Sequence, residues 1–337
     1  MPDNSIYFDL DRVLSYNALF NFVVGSRGVG KTYGAKKRGI KNFLKNGSQF
    51  MYVRRYNTEL DRGKNEKFFN DMIKNKEFPD HTLKVSGMDY LIDDQLCGGA
   101  MALSTSKIEK GVPFPDVSLI IFDEFIIDRG VYHYLPDEVV NFLELYETIA
   151  RMRDVTVLFL SNALTVANPY FMYFDLQLPK SKNQIIRKGD DIILAMAQND
   201  AYIEAKKKTR FGKIIEGTPY ADYAIDNKFL RDNDTFIEKK GEGSRYLFTF
   251  KYKADFYGVW INYDKGKMYV SHDTDPSCKI VYTLTLDDHS PNMMLIKRLQ
   301  TAVLFKMLVD GYKRGQVWFE DMTIKAICYE VMKLSLT

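Results

Sequence analysis

The stretch "VVGSRGVGKTYG", residues 23–34, decides the fold. Gly25, Gly30, Lys31 and Thr32 satisfy the pattern G-x-x-x-x-G-K-[ST]. The apolar run "LFNFVV" (19–24) ahead of it reads as a buried strand, and "KTYGAKKRGIKNFLKNG" after it reads as a helix stopped near Gly47. Strand, glycine loop and helix in that order are the context in which such a loop cradles phosphate. Glycines let backbone N–H groups turn inward, and the helix N-terminus adds its dipole. Gly25, Ser26, Arg27, Gly28, Val29, Gly30, Lys31 and Thr32 are therefore the candidate ATP-binding loop. Lys31 is expected to reach the β- and γ-phosphates, and Thr32 to hold Mg²⁺ through its hydroxyl. The plain alternative is a glycine-rich turn with a surface lysine.

A phosphate loop of this kind needs a buried strand ending in an acid. "VSLIIFDEF" (117–125) supplies one. Its apolar run suits a central parallel strand. Asp123 is the candidate for the metal shell, and Glu124 for the group that orients and deprotonates an attacking water. An acidic pair after a strand is common and says little alone; its place downstream of the loop gives it weight. The glutamate beside the aspartate points to the P-loop ATPases that carry their own catalytic glutamate (the ASCE type) and away from GTPases. A third strand, "VTVLFLSN" (155–162), ends in Ser161 and Asn162, either a γ-phosphate sensor or a polar turn. Before it, "NFLELYETIARMRD" (141–154) has apolar residues at helical spacing. Arg151 and Arg153 near its end are read in two ways: cations placed at a helix C-terminus, or an arginine finger given to a neighbouring subunit.

The chain has 337 residues, room for two domains, and 46% of them are hydrophobic. A net charge of +3 excludes a global basic field, so any nucleic-acid contact must be local. Cys97, Cys278 and Cys328 are few and far apart, which fits a reducing compartment and argues against disulfide or zinc frameworks. The first twenty residues lack a signal-peptide pattern, and no apolar run approaches the roughly 20 residues of a membrane helix. A soluble, intracellular protein is expected.

Strand and helix patterns alternate from 19 to 160, through "QFMYVRR" (49–55), "EKFFNDMIKNK" (66–76) and a hairpin at 81–93. Alternation implies a mainly parallel sheet covered by helices. Residues 190–213 read as a helix ending in a basic run, Lys206 to Lys213, either a solvated helix end or a phosphate or subunit contact. From about 229, strands ("SRYLFTFKYK", "FYGVWINYDKGKMYVSH", "KIVYTLTL") precede helices at 292–312 and 319–334, as in a separate α+β domain. The expected division is 1–197, a linker at 198–228, and 229–337.

The pieces together resemble a known family. "GSRGVGKT" looks like the P-loop of viral genome-packaging terminases. "FVVGSRGVGKTYG", "QFMYVRRY", "EFPDH", "IIFDEF", "FLSNALTVANPYF", "KKTRFGKIIEGTPY", "GVW" and "VYTLT" look, in that order, like the DNA-packaging ATPases of φ29-like phages. The resemblance implies Lys31 and Thr32 as the P-loop pair, Asp123 as the metal acid, Glu124 as the catalytic glutamate, Arg151 as the trans-acting finger and Asn162 as the coupling residue. It implies an α/β P-loop ATPase followed by a smaller α+β, RNase H-like domain. It also implies a homo-oligomeric ring, typically a pentamer, that docks on the portal of a procapsid and threads double-stranded DNA, using ATP and Mg²⁺. Such a protein works in the host cytoplasm, on the procapsid and not in the mature virion. A structural RNA bridging motor and procapsid stays open.

In the nuclease-like domain of that family, the metal acid would follow a "G-h-h" run on the first strand. Here "YGVWINYDKGK" offers Trp260, Ile261 and Asn262, so an inactive scaffold that binds nucleic acid or procapsid is expected. The resemblance breaks at Asn57, where the family carries a basic residue. DNA gripping is then expected from Arg54, Arg55, Arg62 or Lys64, with Lys107 and Lys110 as further pore candidates, each equally readable as a solvated surface cation. The rival readings are an active terminase nuclease and a non-packaging P-loop ATPase.

Overall fold

A short, continuous apolar run suits a strand with both faces covered, as in a parallel sheet flanked by helices. The computed structural model describes residues 7–109, 114–127, 134–135, 137–162, 168–174, 176, 185–218 and 236–336. Among the described residues, those within 1–128, 140–164 and 178–231 form one compact unit, and those within 129–139, 165–177 and 232–337 form a second.

In the first unit the chain runs α1 (Leu10–Leu14), β1 (Phe20–Gly25), α2 (Lys31–Asn46), β2 (Gln49–Arg54), α3 (Arg62–Asn65), α4 (Asn70–Lys74), β3 (Leu83–Ser86), β4 (Asp89–Ile92) and β5 (Gln95–Ala102). It continues through β6 (Val117–Asp123), most of α5 (Glu138–Ala150), β7 (Thr156–Ser161), β8 (Ile185–Lys188), β9 (Ile192–Ala197), α7 (Asp200–Lys207) and α8 (Arg210–Ile215); α6 (Pro169–Tyr173) lies in the second unit. The strand order is β3-β4-β5-β2-β6-β7-β1-β9-β8. The pairs from β5 through β9 are parallel, and antiparallel hairpins close both edges. Parallel pairing puts the C-terminal ends of β1, β2, β6 and β7 on one edge, where ligands of such sheets bind. The phosphate loop, Asp123 and Asn162 all follow those ends.

The core of this unit explains the register. Phe22, Val23, Val24, Phe122, Leu158 and Phe159 have no exposure, and Phe22 stacks on Phe159 at 4.2 Å between ring centroids. Gly39 and Gly98 have no side chain because Phe50 lies between them. A Cβ on Gly98 would come 2.3 Å from the Phe50 carbonyl oxygen, and one on Gly39 would come 2.6 Å from the Phe50 ring.

Three readings of the sequence change in the first unit. Residues 192–197 are a strand, not the start of a helix. "IILAMA" is rich in helix formers, but it pairs with β1 from Phe20↔Ile192 to Gly25↔Ala197, and this tertiary pairing overrides propensity. The helix begins only after Asn199, whose side chain caps Ala201 and Tyr202, so part of the expected linker is α7 and α8 of the first unit. The basic run falls on the end of α7 and on α8. Residues 66–76 hold only the short α4.

The second unit carries β10 (Arg245–Tyr252), β11 (Asp255–Asn262), β12 (Lys267–Ser271), β13 (Val281–Thr283), β14 (Met294–Leu295), α9 (Val303–Lys313), β15 (Val317–Phe319) and α10 (Met322–Leu336). Its strands run β14-β13-β10-β11-β12-β15. Phe248, Phe250, Phe305, Leu308, Phe319 and Ile324 fill its core. The expected helix at 292–312 is confined to α9, because Met294 and Leu295 extend the sheet beside β13. The first strand of this sheet is β10, paired antiparallel with β11 and parallel with β13, so the "YGVWIN" run is the second strand. β10 reads "RYLFTFKY" and carries no acid.

Replacing Gly98 with alanine is expected to push β5 off β2 and to cost about 1–3 kcal/mol, as overpacking does. A fall in the urea midpoint at unchanged slope checks it.

Candidate functional site

The loop between β1 and α2 is built for close approach. Gly25 faces the carbonyl of Ala197 so closely that a Cβ there would lie 2.4 Å from its oxygen. Gly28 and Gly30 have φ of 86° and 87°, the left-handed region that side chains resist, and Gly30 is the N-cap of α2. Lys31, the first residue of α2, turns back under the loop and is 5% exposed. Its Nζ donates to the carbonyls of Gly25 (3.2 Å) and Ser26 (2.6 Å) and to Oδ1 of Asn162 (2.9 Å). Burial pushes the Lys31 ammonium down to about 8, with Asp123 working against that shift and Arg27 adding to it.

Asp123 sits at the end of β6, 8% exposed. Thr32 Oγ1 lies 3.2 and 3.0 Å from its two carboxylate oxygens, Tyr52 Oη donates to Oδ2 at 3.0 Å, and the Glu124 amide donates to Oδ1 at 3.2 Å. Burial pushes the Asp123 carboxyl above the usual carboxylate range, while Arg54, Tyr52 and Thr32 counter it. A hydroxyl and a carboxylate oxygen side by side are hard donors that suit Mg²⁺, which keeps its other positions for phosphate and water. Among the described residues no cluster of three His, Cys, Asp or Glu could hold a metal ion.

Glu124 follows at φ 58°, a left-handed backbone that turns its carboxylate out of the strand. Arg54 at the end of β2 holds it: Nη2 donates to Glu124 Oε2 at 2.7 Å and to Glu59 Oε1 at 2.6 Å, and Nη1 stands 3.8 Å from Asp123. Arg55 is 3% exposed and donates to the carbonyls of Glu124 and Phe125. These two arginines were expected on a DNA-gripping surface. The structure instead spends Arg54 on the carboxylates and Arg55 on the backbone beneath them. Lys64 is exposed, its Nζ on the Thr58 carbonyl at 3.1 Å. Arg62 begins α3, Lys107 falls in the 3₁₀ helix Leu103–Glu109, and Lys110 lies outside the described residues.

The two arginines after α5 differ in their partners. Arg153 donates to the carbonyls of Val117 (2.8 Å), Phe114 (2.7 Å) and Ile149 (2.7 Å), which closes the end of the helix. Arg151 has φ 52°, is exposed, and its guanidinium makes no hydrogen bond or ion pair among the described residues. Ser161 Oγ reaches the Ile126 carbonyl at 3.4 Å, while Asn162 meets Lys31. Sequence reading missed Tyr52 and Glu59; the only local signal was Tyr52 and Arg54 alternating on one face of β2.

In the second unit the acids are dispersed. Asp288 braces the β10–β11 turn through the Lys253 and Ala254 amides, Asp273 pairs with Lys240, and Asp275 accepts from Ser277.

This fold and this loop are those of the mainly parallel α/β class of P-loop proteins. The sequence profile described as Podovirus DNA encapsidation protein (Gp16) matches residues 2–336. The chain belongs to that family. It is 40% identical over 332 residues to the DNA packaging protein of Bacillus phage phi29, covering 98% of both chains. Among solved structures it is similar to a chain of the bacteriophage phi29 viral genome packaging motor assembly, with a TM-score of 0.60, 38% identity, and coverage of 98% of this chain and 100% of that one. The N-terminal domain of the DNA packaging ATPase from bacteriophage phi29 is similar too, with a TM-score of 0.53 and 41% identity, covering 58% of this chain and 98% of that one.

Two outcomes follow from the site. A bound triphosphate favours charged Lys31, and the empty site loses that proton above about pH 8. Affinity for ATP should therefore be flat below that pH and fall by up to about tenfold per unit above it. Calorimetric titration across pH checks this, and Lys31→Ala should lack the slope. Arg153→Ala should cost about 1–3 kcal/mol, because three carbonyls lose a charged donor, whereas Arg151→Ala should stay within about 0.5 kcal/mol. Chemical denaturation of the two variants separates them.

Proposed function

We propose that the chain is an ATP-driven motor that moves double-stranded DNA into a procapsid as a homo-oligomeric ring, a pentamer docked on the portal in the host cytoplasm. The observation that carries the reading is the Thr32–Asp123 contact at 3.0 Å, which joins the phosphate loop to the strand-end acids in a chain matched by a packaging family over nearly its whole length. The phi29 protein named a DNA packaging ATPase supports the same activity.

Thr32 and Asp123 are the residues that would hold Mg²⁺, whose part is to neutralise charge on the β- and γ-phosphates. Lys31 exchanges the carbonyls of its own loop for phosphate oxygens. Glu124 takes a proton from the attacking water once Arg54 releases it, so the Arg54 clamp keeps the empty site idle. Asn162, on Lys31, reports the state of the loop to the end of β7. Arg151 of a neighbouring subunit stabilises the charge on the transferring phosphoryl group. DNA is held through backbone phosphates, which suits a motor that must take any sequence.

The test is a reconstituted mixture of procapsid, genomic DNA and protein, read by ATP hydrolysis and by protection of DNA from nuclease. Glu124→Gln should lower hydrolysis by about 10²–10⁴, and Arg151→Ala by about 10³–10⁵. Mixing the two variants should restore part of the activity, since each supplies what the other lacks. Hydrolysis that persists in Arg151→Ala overturns the finger. Hydrolysis by the wild type without DNA protection overturns the packaging role.

A further inference from the structure

We propose that Tyr52 is a positioning residue for the divalent cation: its hydroxyl fixes the Asp123 carboxylate in the orientation that meets the cation beside Thr32. The inference rests on the reading of Thr32 and Asp123 as the metal-holding pair.

β2 and β6 are parallel neighbours, with Tyr52 opposite Ile121. Asp123 thus stands two residues further along, about 7 Å at the rise of a strand. A phenol spans that offset, and a serine or threonine does not. The ring is locked where it is. It packs against the core of the first unit and meets the edge of Phe68 at 5.0 Å between centroids, with the planes at 65°.

The donors on Asp123 have unequal duties. Thr32 Oγ1 serves both carboxylate oxygens, and it is the oxygen that would also face the cation. The Glu124 amide serves Oδ1 from a residue that has to rearrange when its side chain leaves Arg54. Tyr52 serves Oδ2 at 3.0 Å through a hydroxyl that has no other partner among the described residues. It is the donor that can stay in place through a cycle of cation and nucleotide exchange. Outer partners that orient a ligating carboxylate commonly control metal affinity as strongly as this.

Tyr52→Phe removes the donor and keeps the ring, so packing on Phe68 is retained. The full chain, with a non-hydrolysable ATP analogue bound, is titrated with Mn²⁺ and followed by electron paramagnetic resonance. Tyr52→Phe should bind Mn²⁺ about 10- to 100-fold more weakly, with unchanged affinity for the analogue in the absence of metal. Asp123→Ala is the parallel control. Should Asp123→Ala lose Mn²⁺ while Tyr52→Phe binds it like the wild type, the Tyr52 role is wrong and the metal site stands. Neither variant changing Mn²⁺ binding overturns the metal site and the Tyr52 role together. A lower metal-free melting temperature for Tyr52→Phe with intact Mn²⁺ affinity makes the tyrosine structural and overturns the proposal.

Discussion

A buried carboxylate at the end of a central strand is the constraint on which the rest of this structure turns. Asp123 is 8% exposed, and a charge taken out of water is tolerated only where donors replace the water. Those donors come from separate elements: Thr32 from the first turn of α2, Tyr52 from β2, and the backbone of Glu124. Each must arrive at one point, which fixes how far α2 slides along the sheet and in what register β2 pairs with β6. The parallel order β2-β6-β7-β1 meets that demand, because it sends four strand ends and the residues after them to a single edge.

The local parts of the site were legible in the sequence for this reason. A glycine loop between a strand and a helix, and an acid pair after an apolar run, need only their own neighbours to be recognised. Strand order is different. Nothing within "QFMYVRRY" says that it lies beside "IIFDEF", so Arg54 and Arg55 read as free cations when their partners are carboxylates and carbonyls seventy residues away. The same gap hid Tyr52. It also confused 192–197, where a run of good helix formers is held extended by β1. Arg151 and Arg153 were inseparable by spacing. What parts them is Val117 and Phe114, which engage one and not the other.

The resemblance located the family, and it pointed to the wrong strand of the second unit. The "YGVWIN" run is the second strand of the second unit's sheet, so its lack of an acid was not the relevant absence. The relevant strand is β10, hydrogen-bonded on both sides in mid-sheet and also without an acid. Three acids of this unit are engaged elsewhere: Asp273 pairs with Lys240, Asp275 accepts from Ser277, and Asp288 braces the β10–β11 turn.

The charges of the first unit are settled unevenly, and that unevenness bears on assembly. Lys31 is satisfied by its own loop and Asn162. Glu124 is satisfied by Arg54, which is itself shared with Glu59. Arg153 is satisfied by three carbonyls. Lys31, Glu124 and Arg153 are thus met by partners of their own unit, and such partners lower the free energy of the empty site. Arg151 differs from Arg153: it is exposed, on a left-handed backbone, and nothing among the described residues holds its guanidinium. On the proposed function, such a site is activated by charge from outside, first the triphosphate and then a cation from another copy. The proposed ring is a closed arrangement in which every copy would both give and receive such an arginine.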